Sequence, residues 1–383
     1  MYNIIKLIPK ENSKYHFGEG DLTESSIVFH SYSLFSAIVN NFVKLYGDGE
    51  FEKYKEKIKE LKISSLYPAI YQFDLDLNKI DKEILFIPKP MLKLGFDSKT
   101  EEKIKEKPKD IKKIKFISLN ALKKHNKKEL KKITIGEEYL ITNKEKDDFK
   151  YQNPKNMDLF KKIMEQKVSI DRIKGTTLED NEKGQLYSIE FIKPLRKKDK
   201  NKNIINIVGF YFLIDFNSIN EDKDIVKKIN ASINLIKDEG LGGKRSIGAG
   251  TFEDIIIDEF NEEDLDIKYE DLNKKYISKE KRLTLSITVP KDEGEFKSFC
   301  NYQLIKIGGY IYPSPNKMEY ITKLKKNIYA IAEGSICDKE ISGDVKDLKP
   351  DGINQEVILN GHIITIPVVF YEELKDYNEE GVN

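Results

Sequence analysis

The residues best suited to chemistry lie together in Asp238-Glu-Gly-Leu-Gly-Gly-Lys-Arg-Ser-Ile-Gly-Ala-Gly250, which holds five glycines, a lysine, an arginine and a serine. Glycine lets a ligand come close to the backbone, and open amides beside two cations suit an anion. Arginine is scarce in this chain, at Arg172, Arg196, Arg245 and Arg282 only. Placing one of them in this loop suggests that its planar fork is wanted for phosphate or a base. A helix C-cap would account for Gly240 but for neither the other glycines nor the two cations. Gly240, Gly242, Gly243, Lys244, Arg245 and Ser246 are therefore the first candidates for binding a nucleic acid.

The elements around the loop narrow the chemistry. Ile225, Ile229, Ile233 and Ile236 recur at helical spacing before it, and Thr251-Phe-Glu-Asp-Ile-Ile-Ile257 reads as a strand after it. A loop that ends a helix and feeds a strand is neither a P-loop nor a dinucleotide site, where the strand comes first. A second candidate is the start of a helix at Ser31, which reads as its N-cap. Leu34, Phe35, Ile38, Val39, Phe42, Leu45 and Tyr46 give that helix an apolar stripe, and its open amides beside His30, Ser31 and Ser33 suit a phosphate. His16 lies in the polar loop before it, where a structural hydrogen bond competes with a functional role. The carboxylates Glu19, Asp21 and Glu24 share that loop; they suit magnesium, or are plain surface charges. A hairpin over residues 168–192 would carry Arg172 and Lys174 near its tip.

Composition sets limits. The 383 residues, 39% hydrophobic and 34% charged, hold no apolar run of membrane-spanning length. The first residues alternate like a strand and not like a signal peptide, so a soluble cytoplasmic protein with no membrane contact is expected. Two distant cysteines and four scattered histidines argue against zinc or a disulfide framework, and no metal or cofactor is predicted. The net charge of +1 hides uneven blocks: residues 99–132 hold fourteen Lys against five acids, and residues 253–271 ten acids against one Lys. Such blocks are solvated faces unless a basic one faces the glycine loop. The lysine-rich block predicts little fixed structure.

Residues 47–184 read as one large excursion. Without it the order is strand 2–8, helix from 31, strand 185–192, strand 204–216, helix 225–236, strand 251–257. This is the order of the ferredoxin-like fold, which RNA-recognition domains share. The expected class is thus α+β, with an N-terminal ferredoxin-like domain over 1–259 interrupted near 47–184. An acidic linker over 260–280 then leads to a degenerate ferredoxin-like domain over 281–383.

The glycine loop resembles the signature of the RAMP superfamily of CRISPR proteins. His16-Phe-Gly-Glu-Gly20, His30-Ser-Tyr-Ser-Leu-Phe-Ser-Ala37, Phe86-Ile-Pro-Lys-Pro90 and Val168-Ser-Ile-Asp-Arg-Ile-Lys-Gly175 are similar to one subfamily, the fourth subunit of the Csm (type III-A) effector complex. Gly308-Gly309, Glu333-Gly334-Ser335 and Gly361-His362 also fit, while the lysine-rich 94–150 segment falls outside the likeness. The resemblance implies two ferredoxin-like domains and a noncatalytic subunit that caps the guide at the repeat-derived 5′ tag of the CRISPR RNA. Its implied partners are the Csm backbone subunit and the large polymerase-like subunit. Carried over by position, the loop from Gly242 to Ser246 would line the tag, with His16 and Ser31 nearby and the Asp171–Lys174 hairpin as a thumb. The alternative is a RAMP endoribonuclease that processes CRISPR RNA or cuts target RNA.

Overall fold

The computed structural model describes residues 2–18, 21–73, 79–106, 108–150, 158–171, 174–177, 179–180, 183–184, 186–198, 205–265, 276–311 and 323–373. Its central element is Ile205–Asp215, an almost unbroken apolar run that is buried from Asn206 to Ile214, as a strand covered on both faces must be. With Tyr2–Pro9 (β1), Tyr67–Phe73 (β2), Ile80–Pro88 (β3) and Phe252–Phe260 numbered in chain order around it, the sheet runs Phe252–Phe260, β1, Ile205–Asp215, β2, β3. Every neighbour in this run is antiparallel. The fold is mixed α and β, dominated by this sheet.

The strand beside Ile205–Asp215 is β2 and not 185–192, which corrects the order expected from sequence. Pro68 argues against a sheet interior, because proline cannot donate to a ladder. Here pairing with β3 begins only at Ala69, so the missing donor falls beyond that ladder. Residues 186–194 instead pair with Phe160–Val168 in a separate two-stranded ribbon.

Two helices lie beside the sheet. Helix α1, Ser31–Lys59, buries Leu34, Phe35, Ile38 and Phe42, breaks at Gly47, and resumes to bury Tyr54 and Ile58. Helix α2, Lys223–Asn234, is capped by Asp222, whose carboxylate accepts the amides of Asp224 and Ile225. It buries Ile225, Ile229 and Ile233. Strand Tyr276–Thr284 pairs with Thr365–Glu373 and with Ile336–Cys337 to begin the C-terminal half. Leu283, Leu285, Ile336 and Ile364 pack in one core with Ile4 and Phe210, so the apolar interior continues from one half into the other. Asn360 Nδ2 donates to the carbonyls of Lys59 and Leu61, at 3.0 and 2.9 Å, satisfying acceptors at the end of α1 from the C-terminal half.

The lysine-rich segment is ordered, contrary to its composition. It forms helices Ser98–Glu106, Lys109–Lys112 and Leu119–Asn126, and strands Phe116–Ser118, Ile133–Ile135 and Tyr139–Ile141 that extend the main sheet beyond β3. Ile114, Phe116, Ile117, Ala121, Leu122 and Leu130 are buried beneath the lysines. Within it, His125 Nε2 donates to Val369 O at 2.9 Å while Nδ1 accepts the Gly95 amide at 2.7 Å, tying the segment to the C-terminal half. Of the expected acidic linker, Glu262–Leu265 form a short 3-10 turn and 266–275 lie outside the described residues. No helix among the described residues is long and apolar enough to cross a membrane.

Candidate nucleic-acid interface

The glycine loop is laced to the segment that follows β1. Gly240 closes the turn after α2 by donating to Ile236 O at 2.9 Å. Leu241 N–H then donates to Gly250 O, Gly250 N–H to Lys14 O, and Gly243 N–H to His16 O, all between 2.8 and 3.0 Å. Gly242 has φ 86°, and a Cβ there would stand 2.5 Å from His16 O. Gly250 has φ 88°, and its Cβ would stand 2.2 Å from Leu241 O. These glycines are required by chain packed against chain, which corrects the inference that only a close ligand explains them. The cations keep their separate interest. Lys244 has φ 61° and places Nζ 5.8 Å from the Tyr187 ring centre, Arg245 opens a 3-10 turn 3.9 Å from Glu239, and Ser246 is exposed.

His16 is brought against this loop. Its Nδ1 donates to the Glu190 carbonyl at 2.8 Å, since a carbonyl can only accept, so the neutral ring carries its lone pair at Nε2. His16, Gly242, Gly243 and Arg245 line a cleft of about 430 Å³ whose other walls are the outer face of α1, at Tyr32, Ser33 and Asn40, and the C-terminal half at Tyr310 and Lys325. Lys325 Nζ stands 5.0 Å from the Tyr32 ring centre. Tyr310 is 67% exposed. The sequence singled out neither Tyr310 nor Lys325; the turn glycines Gly308 and Gly309 just before Tyr310 were the only signal.

Ser31 stands apart from the cleft. His30 is the N-cap residue of α1 and makes no side-chain cap bond, so Ser31 is the first helical residue and not the cap. Ser31 is buried; its hydroxyl accepts the Ile287 amide at 3.0 Å and its own amide donates to Ser65 Oγ at 2.8 Å. Ser65 Oγ in turn donates to Glu333, which also meets His30 Nδ1 at 2.7 Å. Burial pushes the Glu333 carboxyl up, but the charge and hydrogen bond of His30, with the Ser65 hydroxyl, outweigh it and hold Glu333 below its ordinary range. The amides expected to hold phosphate here are thus partly occupied by the protein itself. This joint between His30 and Glu333-Gly-Ser335 was invisible to local reading.

The expected hairpin is longer than predicted. Phe160–Val168 pairs with Leu186–Pro194, and Ile170–Asp171 with Thr176–Thr177 beyond them. Lys174 is exposed near the tip; Arg172 lies outside the described residues. Met164, Val168 and Leu186 share one face by alternation, and Met164 and Leu186 are 53% and 75% exposed. Among the loop carboxylates, Asp21 accepts the Thr23 amide at 2.7 Å and the Thr23 hydroxyl at 2.8 Å, which hold its carboxyl below the usual range. Glu24 is exposed and Glu19 lies outside the described residues. Among the described residues no three His, Cys, Asp or Glu side chains gather as a metal site would need.

Comparison with known proteins places this geometry in a family. The model of the RAMP superfamily matches residues 12–253, a span that takes in the lysine-rich segment, and that of the CRISPR Csm4 C-terminal domain matches 278–368. A curated protein of Methanocaldococcus jannaschii, CRISPR system Cms protein Csm4, is 45% identical over 95% of this chain and 97% of its own. A protein of the same description from Streptococcus thermophilus is 23% identical over 88% of this chain and 89% of its own. The crystal structure of a Csm3–Csm4 subcomplex of the type III-A CRISPR–Cas interference complex contains a chain 37% identical to this one. It matches with a TM-score of 0.62 over 95% of this chain and 98% of that one.

Proposed function

This chain belongs to the Csm4 family of the RAMP superfamily, and on that premise we propose that it is a noncatalytic subunit of a type III-A CRISPR interference complex. It caps the CRISPR RNA at its repeat-derived 5′ tag and joins the backbone subunit to the large polymerase-like subunit. The observation that carries this reading is the cleft in which the glycine loop, His16 and the start of α1 face Tyr310 and Lys325. Gly240, Gly242 and Gly243 shape its floor, and Lys244, Arg245 and Ser246 supply charge and hydrogen-bond donors to RNA phosphates. Exposed Met164 and Leu186 on one face of the 160–194 ribbon suit contact with unstacked bases, with Lys174 near its tip and Arg172, two residues earlier in the sequence, as phosphate partners. His16 sits on the cleft wall and Ser31 acts indirectly, by seating the helix that forms the opposite wall.

The sheet order of the N-terminal half, fourth strand, first, third, second with α1 and α2 as crossovers, supports the ferredoxin-like reading over 1–259. The C-terminal half is then a reduced copy, proposed over 281–383 after the acidic 260–280 stretch, with its first strand already begun at Tyr276 inside that stretch. The hydroxyl and amide that engage Asp21 support a structural role for its carboxylate.

Two experiments test the proposal. Tagged chain isolated from its host should carry the backbone subunit, the large subunit and small RNAs beginning with the repeat tag; recovery without RNA or partners would overturn it. In the reconstituted complex, Asp21→Ala with Glu24→Ala should leave every cleavage product of target RNA in place. Loss of one product with assembly intact would support the endoribonuclease reading instead.

A further inference from the structure

A second cleft in which lysines converge lies elsewhere, in the segment that extends the sheet. It measures about 860 Å³ and shares no lining residue with the glycine-loop cleft. Lysines and carboxylates line it in similar number, yet the two signs are not equivalent. Each carboxylate already has a partner in the fold. Glu145 takes Ser118, Asn120 and Thr142 at 2.8 to 2.9 Å. Asp97 takes the Thr100 amide, while Glu83, Glu129 and Asp148 pair with Lys6, Lys124 and Lys82 at 2.9, 3.1 and 3.3 Å. Lys123, Lys127 and Lys144 line the same space and form no ion pair with a described residue. Glu145 and Asp97 keep their charge on neutral donors, but with Glu83 neutralised by Lys6 from outside the cleft, six lysines face four remaining carboxylates. This modest positive excess in a concave wall raises the local concentration of an anion.

The surroundings identify the anion. A stable protein interface has an apolar centre. Among the described residues, no large apolar side chain between 79 and 150 is exposed. An acidic protein surface is therefore a poor fit. Base recognition is equally unsupported: the segment has no arginine, and Phe149, the one aromatic lining the cleft, is buried. Flexible ammonium groups without forks or stacking surfaces suit a sugar–phosphate backbone read without regard to sequence.

We propose that Lys123, Lys127 and Lys144 form a second nucleic-acid contact, which holds the phosphates of a single strand independently of the tag cleft. The contact goes beyond the tag-capping reading and survives its failure, because the two clefts share no residue. The test measures full-length protein with polyuridine and polydeoxythymidine, across salt, for wild type, Lys123→Ala/Lys127→Ala/Lys144→Ala, and the same triple change to Arg. Three lost single-strand contacts should flatten the slope of log K against log salt by about 2, or about 100-fold in affinity near 0.1 M salt. The arginine variant should recover most of this, and both polymers should respond alike if phosphate alone is held. A loss confined to polyuridine would mean ribose recognition and overturn the sequence- and sugar-blind contact proposed here. Alanine and wild-type curves that superimpose, with unchanged melting temperatures, would overturn it outright, as would rescue of the alanine variant's defect only by an acidic partner protein. Tag RNA measured in parallel with Lys244→Ala/Arg245→Ala reports on the glycine-loop cleft, so the two claims fail separately.

Discussion

His30→Ala should destabilise the protein from the joint that seats α1. The ring nitrogen and the Glu333 carboxylate lie 2.7 Å apart, with side chains 16% and 9% exposed. Removing one partner of a buried pair costs about 3–5 kcal/mol, mostly because the other charge is stranded. The residual exposure and the surviving Ser65 hydroxyl put this case at the low end, about 3 kcal/mol. With an unfolding entropy of about 2 cal/mol/K per residue, and a core continuous between the halves, that lowers the melting temperature by roughly 4 °C. The pH dependence has a definite sign. Glu333 is held below its unfolded value, so its contribution is whole above a pH of about 4.3 and lost as pH falls through the lower folded value. The gap between wild type and His30→Ala should accordingly narrow in acid. Calorimetry at neutral pH and near pH 3 measures both. A variant that melts within about 1 °C of wild type while losing RNA affinity would refute the reasoning and make His30 a ligand contact.

Two further outcomes follow from buried groups. Burial lowers the His125 pKa to about 4, so the unfolded chain takes a proton below about pH 6.5 that the folded chain refuses. Stability should fall by about 2 kcal/mol between pH 7 and pH 5 from this group alone, and His125→Gln should be weaker at pH 7 yet lose less on acidification in urea unfolding. Gly250→Ala places a methyl 2.2 Å from Leu241 O at φ 88° and should cost about 3 kcal/mol. Ser246→Ala, at an exposed position of the same loop, should leave the melting temperature unchanged, and equal losses for both would deny the crowding.

What the sequence disclosed was mostly local. Ile225, Ile229 and Ile233 announced α2, Ile205–Asp215 announced the central strand, and the cations of the glycine loop announced a candidate site. What it hid depended on distant partners. Tyr67–Phe73 was hidden in the 47–184 excursion because its central partner, Ile205–Asp215, lies far along the chain. Gly242 and Gly250 looked like room for a ligand because nothing local says that His16 O and Leu241 O occupy it. Lysine density suggested disorder over 99–132, although the apolar residues between the lysines join the main core and His125 is bonded by Val369 O and the Tyr371 hydroxyl from the C-terminal half. The walls at Tyr310 and Lys325 come from the far end of the chain and could be assigned only once the halves were seen to share a core.

The most direct measurement of the tag-capping claim is binding of guide RNA by this chain joined to the backbone subunit, with wild type and Lys244→Ala/Arg245→Ala compared on RNAs with the native or a scrambled 5′ tag. The account predicts that wild type prefers the native tag and that the variant, with an unchanged melting temperature, loses that affinity. Its salt slope should be flatter by about 1.4, from two single-strand phosphate contacts. Equal affinity of wild type for both RNAs, or a variant that binds the native tag as wild type does, would contradict it.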